Sequence, residues 1–279
     1  MTTEEHTVGF PQEWKAFYSR HPLWAEKCKL LISSLSKVFI REFSIRSPAD
    51  KVVFFLGRLC VEDFNEAFLL CANGYGFGGL KIVRGLYERA ITGGYIAKYP
   101  KGADSFLEYH FIHKGKMLNH AKNFPGINEQ IPKDEIEETN RLYSEFKAKF
   151  KEPLCKKCGT FRTQFSWSKL DTASMAQEIG LEALYFPGYF YPTLQTHATP
   201  SSLMARLIVH DDVNASFDER AQQDWADRAL IVAHNIIIRV LMVQNSYFKL
   251  QIDKEIEERK NDFVSIWGRQ KAFDLENKI

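Results

Sequence analysis

Apolar residues recur along most of this chain at spacings of three and four, the pattern of helices that bury one face. The segments carrying it run for roughly 15 to 30 residues, which suits helices and not strands. Asn, Gly and Pro cluster between them, at 72–79, 99–102, 124–132, 153–159, 186–192 and 198–202. Ser47-Pro48-Ala49-Asp50 reads as a helix start with proline in the first turn, ahead of an apolar run over 52–70. Asp171 or Thr172 is placed to cap a short helix that ends at Ile179, with Gly180 as its stop. The stretch 216–219 is expected to open the longest helix, running to about Leu250. No segment alternates convincingly and no internal repeat is visible. The expected fold is therefore all-α, a single multi-helix bundle of about eight to ten helices. Its domain is expected over 1–250. A charged helical extension over 251–279, containing DKEIEERKND, would lie on the surface or meet a partner and support a homo-oligomer.

Composition supports a folded chain with a sizeable core: 45% of its 279 residues are apolar. The net charge of +2 excludes a binder that works by bulk positive charge. It hides two local imbalances. Residues 141–169 carry eight Lys or Arg against two Glu, interleaved with Phe161, Phe165 and Trp167. Residues 211–227 carry six acids against Arg220. Either the two stretches neutralise each other, or the basic one faces RNA or phosphate. The longest apolar stretch, 229–243, is short and broken by His234, Asn235 and Arg239, so no membrane partner is expected. Five cysteines and a start without a secretory pattern point to a reduced, cytoplasmic protein.

The helix over 78–99 carries the most informative polar pair. On a helical wheel Leu80, Val83, Tyr87 and Ile91 fall within about 60° of one another, and Arg84 sits inside that apolar sector with Glu88 at its edge. Lys81, Gly85 and Arg89 form the narrow strip left for water. A buried arginine needs partners for its five donors. Glu88, four residues on, supplies one as an internal ion pair. A carboxylate or phosphate of a bound ligand is the alternative, since the planar fork suits both.

The next helix, over 103–122, sets Phe106, Tyr109, His110, His113, Met117 and His120 on one face. Hydrogen-bonding histidines explain that face. His113 is also a candidate acid or base, and a metal site is not expected because no carboxylate stands at the helical spacing such a site needs. Tyr185, Tyr189, Thr193 and His197 recur every four residues, although Pro187 and Pro192 interrupt a continuous helix. His197, at a helix end, either caps carbonyls or exchanges protons near neutrality. Cys155 and Cys158 form half of a zinc knuckle whose second pair is absent, which favours a loop dithiol. The phosphate-cradling, nucleophile-elbow and zinc-protease motifs do not occur, and no cofactor is expected.

Two resemblances follow from these residues. Arg228 and His234, with five residues between them on a helix, resemble the motif of HEPN-type ribonucleases, in which a dimer pairs two such helices for metal-independent RNA cleavage in toxin or antiviral defence systems. That resemblance implies a catalytic Arg228 and His234; a histidine satisfied in an apolar helix is the alternative. Arg84-Gly-Leu-Tyr-Glu88, Tyr95, 106–109, Trp167-Ser168, Tyr185-x3-Tyr189 and His197 together resemble a bacterial all-helical family of unknown function. The likeness spans about residues 50–205, departing at Gly85 and at Gln195-Thr196. It implies an all-helical intracellular protein and a pocket gathering Arg84, Glu88, Tyr109 and His197 around a small anionic ligand. A third reading is a non-catalytic interaction or regulatory protein in which Arg84–Glu88 is structural.

Overall fold

The computed structural model describes residues 9–155, 159–211 and 213–268. The described residues form an all-α fold with helices α1 (Glu13–Arg20), α2 (Trp24–Phe39), α3 (Pro48–Ala72), α4 (Gly76–Lys98), α5 (Gly102–Ala121), α6 (Pro125–Asn128), α7 (Lys133–Lys147), α8 (Thr172–Glu178), α9 (Tyr191–Thr196), α10 (Pro200–Met204), α11 (Gln223–Phe248) and α12 (Asp253–Trp267). Two antiparallel hairpins accompany them, β1 (Lys151–Pro153) with β2 (Phe161–Thr163) and β3 (Leu207–Val209) with β4 (Ala215–Phe217). The chain forms two compact units. The larger comprises 1–44, 53–98 and 172–279, and the smaller 45–52 and 99–171.

The larger unit is built on α4 and α11, which run against each other. Their approach depends on Gly76, where a Cβ would stand 2.5 Å from the Ala226 nitrogen and 2.6 Å from the Gln222 carbonyl oxygen. The core takes Leu86, Tyr87, Ile91 and Ile96 from α4 and Leu230, Ile236, Ile237 and Leu241 from α11. The charged sequence of α12 conceals two anchors, Phe263 and Trp267, buried against α11 and α2. Its buried Arg259 meets Asp262 at 3.0 Å, and Asp262 in turn takes Lys27 of α2 at 3.1 Å. Among the described residues, no helix is long and apolar enough to cross a membrane.

The longest helix starts later than its sequence suggests. Residues 215–217 pair with 207–209 in the register Leu207↔Phe217, Ile208↔Ser216 and Val209↔Ala215, so α11 begins at Gln223 and not at 216–219. The Asp211 carboxylate decides this locally. It accepts from the Val213 and Asn214 backbone N–H groups at 2.9 and 2.7 Å, an Asx-type turn that sets two short apolar stretches side by side. The helix ends close to the expected point, with Lys249 in the left-handed conformation (φ 56°).

In the smaller unit α5 and α7 pack together over Tyr109, Ile112 and Phe150, joined by Tyr143, Phe146 and Trp167. A Cβ at Gly115 would fall 2.1 Å from the Tyr143 ring, so this glycine is what lets the two helices close. The hairpin β1–β2 carries the loop expected to hold two thiols; Cys155 is exposed, and Cys158 lies outside the described residues.

Candidate functional site

The segment between α8 and α10 shows how the chain presents its tyrosines. A 3-10 turn (Glu182–Leu184), a π-helical turn (Phe186–Phe190) and α9 follow one another without a break. Pro187 and Pro192 do not interrupt the helix. A proline ring clashes with the carbonyl four residues back, and the wider π turn relieves the clash, with the Tyr191 N–H donating to the Phe186 carbonyl five residues earlier. The four-residue rhythm therefore holds. Tyr185 and Tyr189 lie 5.3 Å apart, and both approach the buried Tyr87 ring of α4, at 6.5 and 6.2 Å. The Thr193 hydroxyl donates to the Tyr189 carbonyl at 2.7 Å, and the exposed His197 ends α9.

Arg84 meets this segment face-on. Its Cζ lies 5.3 Å from the centroid of the Tyr189 ring. Glu88 is its ion-pair partner, but at 3.4 Å and with side-chain exposures of 24% and 41% the contact is loose. A pair this exposed contributes at most about 1 kcal/mol. The Arg84 Nε is shielded from solvent and makes no hydrogen bond. Half-buried between ring and carboxylate, the guanidinium keeps donors unused.

Tyr109 and His113 stand in the smaller unit, and their surroundings account for them. Tyr109 is buried, and its hydroxyl donates to the Gln164 carbonyl at 2.6 Å while accepting from Lys116 Nζ at 3.1 Å. The single proton of that hydroxyl is spent on Gln164, so Tyr109 has no donor left for an anion. His113 stacks edge-on against Tyr109 (4.8 Å), and partial burial, then the Lys116 charge, holds its pKa below the ordinary value. His110, Met117 and His120 share its solvent-facing side of α5, whereas Tyr109, Ile112, Gly115 and Leu118 form the buried one. The basic stretch in this unit meets carboxylates nearby: Arg141 with Glu138 and Glu145, Lys149 with Glu108, and Arg162 with Glu152.

Arg228 and His234 do not form a pair. Six residues on α11 turn through about 600°, which leaves the two side chains roughly 120° out of line. Arg228 is exposed, with its Cζ 4.7 Å from the Trp225 ring. His234 is 2% exposed and enclosed by Trp24, Phe64 and Phe263, at 5.6, 6.3 and 5.1 Å. Its Nδ1 accepts the Trp267 indole N–H at 3.1 Å. Burial, with a smaller contribution from Arg259, pushes its pKa down to about 3. A neutral imidazole sealed in the core is not placed to meet RNA, and the ribonuclease expectation loses its geometric basis here.

Several polar groups escape the sequence pattern. Arg89, assigned above to the water-facing strip, ion-pairs with the buried Asp63 of α3. Arg239 and Arg259 are more deeply buried than Arg84. A crevice between α3, α4 and α11, lined by Cys60, Arg89, Arg239 and Gln244 among others, is too narrow for more than about one water. Arg84, Glu88 and His197 do not line it.

Comparison with protein families matches residues 50–215 to one model, described as a family of unknown function, DUF5677. Arg84, Glu88, Tyr109, His113 and His197 fall inside the matched stretch, and Arg228 and His234 beyond it. No curated protein and no solved structure matches the chain.

Proposed function

We propose, from the premise that this chain belongs to the family of unknown function DUF5677, that it binds a small anionic ligand, a carboxylate or a phosphate, at Arg84. One observation carries the reading: a half-buried guanidinium lies against the Tyr189 ring with a shielded, unbonded Nε and only a 3.4 Å contact to Glu88. An arginine held by its face keeps its edge donors for a bidentate partner. In this reading Glu88 orients the guanidinium and gives way to the stronger anion. The π turn sets Tyr189 beneath it, and local π turns of this kind are frequent at functional sites. His197, about two turns beyond Tyr189 on the same four-residue repeat, is the candidate proton-exchanging group of this reading. Tyr109, whose hydroxyl proton is committed to Gln164, is left out.

Thermal unfolding in a panel of small carboxylates and phosphates tests this. At least one anion should raise the melting temperature of the wild-type protein in a saturable way, and Arg84→Gln should abolish the rise without lowering the melting temperature of the free protein by more than a few degrees. A rise of equal size in Arg84→Gln would refute the assignment, as would a panel in which no anion acts.

A further inference from the structure

We propose that the surface around Trp225 is a second site, for a mononucleotide-class ligand in which a planar ring is joined to a phosphate. It involves neither Arg84 nor Tyr189 and stands independently of the reading above.

The site begins at Trp225. Tyr191 lies parallel to Trp225, with centroids 4.9 Å apart and planes within 9°. Arg228 stands over the same indole at 4.7 Å. Arg228 is the exposed member of this group. Tyr191 is held by the buried Gln195, which donates to its hydroxyl at 3.4 Å. Phe77 of α4 continues the surface at 5.5 Å from Trp225. Arg206 then stands 5.7 Å from Phe77 and 4.8 Å from Phe217 of β4. The links of 5.7, 5.5 and 4.7 Å put the two guanidiniums no more than about 16 Å apart, on one continuous aromatic surface.

Both arginines keep their donors. Among the described residues neither makes an ion pair, and Arg206 Nη1 is shielded without a hydrogen bond. Of the carboxylates beside this surface, Asp218 is hydrogen-bonded by Arg220 at 2.8 and 3.0 Å, which with a smaller contribution from the Arg206 charge holds its pKa down to about 2. Asp227 is engaged by His21 at 2.9 Å. A guanidinium lying on a ring supports a second planar group on its outer face, and its edge takes phosphate oxygens bidentately. One arginine for the ring and one for the phosphate is the recognition logic of a nucleotide. The surrounding stretch 211–227 carries six acids against one arginine. That field opposes a long polyanion, so the site suits a compact ligand and not an extended single strand.

Titration calorimetry on the full chain with AMP, GMP, CMP and UMP in turn tests the proposal. At least one should bind saturably, and the matching nucleoside and ribose 5-phosphate alone should each bind about tenfold more weakly or worse, because each lacks one of the two contacts. Arg228→Ala and Arg206→Ala should each cost about tenfold or more. Arg228 is exposed, so that variant folds as the wild type does. Trp225→Phe, which keeps a ring, should retain binding that Trp225→Leu loses, with circular dichroism confirming that both are folded. The same titrations in an Arg84→Gln background remove phosphate binding at the anion site, and there the nucleotide should still bind and Arg228→Ala should still cost about tenfold, which separates the two sites. Absence of binding by all four nucleotides, or unchanged affinity in Arg228→Ala, would overturn it. So would a ten-residue oligothymidylate that binds more tightly than any mononucleotide, since that result marks a strand-binding surface.

Discussion

The middle of α11 and its first turns are both lined by aromatic rings, yet they leave their polar residues in opposite conditions. At the middle, His234 is enclosed on every side, with an indole N–H on one nitrogen and burial holding the ring neutral. In the first turns, Arg228 stands 4.7 Å from the Trp225 ring and is exposed to solvent. Ring contacts alone do not distinguish a core residue from a binding residue. What distinguishes them is whether the polar atoms behind the rings are already satisfied. Arg84 falls on the open side of that distinction, Tyr109 on the closed side.

The sharpest way to break the contrast is to remove the enclosed group. His234→Ala empties a site packed by four aromatic side chains and leaves the Trp267 indole N–H without its acceptor. Cavity and lost hydrogen bond together should cost about 3–5 kcal/mol in chemical denaturation. A loss below about 1 kcal/mol would mean that the imidazole is not part of the core.

The same residue sets a pH dependence. Its folded pKa, about 3, lies below the ordinary histidine value of 6.5, so the unfolded chain binds the extra proton. The contribution to stability is fully present above about pH 6.5 and is lost as pH falls towards 3, at up to about 1.4 kcal/mol per pH unit. Carboxylates add their own dependence at the acid end, so the measurement is the difference between wild type and His234→Gln between pH 7 and pH 4. The wild-type curve should fall more steeply; parallel curves would contradict the burial of a neutral imidazole.

Helix positions were far more legible in the sequence than the condition of the groups on them. The 3.6-residue period placed α4 and α5 to within two residues at each end, because that period depends only on which face is buried. It could not show Arg89 reaching Asp63, since that partner belongs to α3 and a wheel describes one helix at a time. It misplaced the start of α11 because a side-chain turn at Asp211, not a periodicity, sets the hairpin. The Arg84–Glu88 spacing was readable, as was the Tyr185–His197 repeat. Its continuity through two prolines was not, because a π turn leaves no mark on a four-residue count. The Trp225–Arg228 contact had a visible signal in its i,i+3 spacing. Tyr191, Phe77 and Arg206 come from three other segments and had none.

Within the smaller unit the contrast predicts an intermediate effect. Tyr109→Phe removes a buried hydroxyl that donates to Gln164 and accepts from Lys116, leaving the Gln164 carbonyl with the lysine contact at 3.5 Å. Denaturation should report a loss of about 1–2 kcal/mol. Anion binding at Arg84 should be unaffected, because the Tyr109 proton is already donated to Gln164 and none is left for an anion. A variant of full stability that had lost anion binding would instead return Tyr109 to the site.

The smallest expected effect on folding is the most informative about function. Arg84→Gln removes an exposed ion pair and a cation–ring contact, each worth about 1 kcal/mol or less at such a site. If the arginine served only to fix helix register, Glu88→Gln would reproduce the ion-pair part of that loss, and the two changes together would cost no more than Arg84→Gln alone. If Arg84 is kept for a ligand, the two variants part company. Glu88→Gln should preserve anion binding or strengthen it, by removing the competing carboxylate, while Arg84→Gln abolishes it. Side-by-side denaturation and anion titration of both variants therefore separate a guanidinium satisfied by its own helix from one whose open edge takes a ligand.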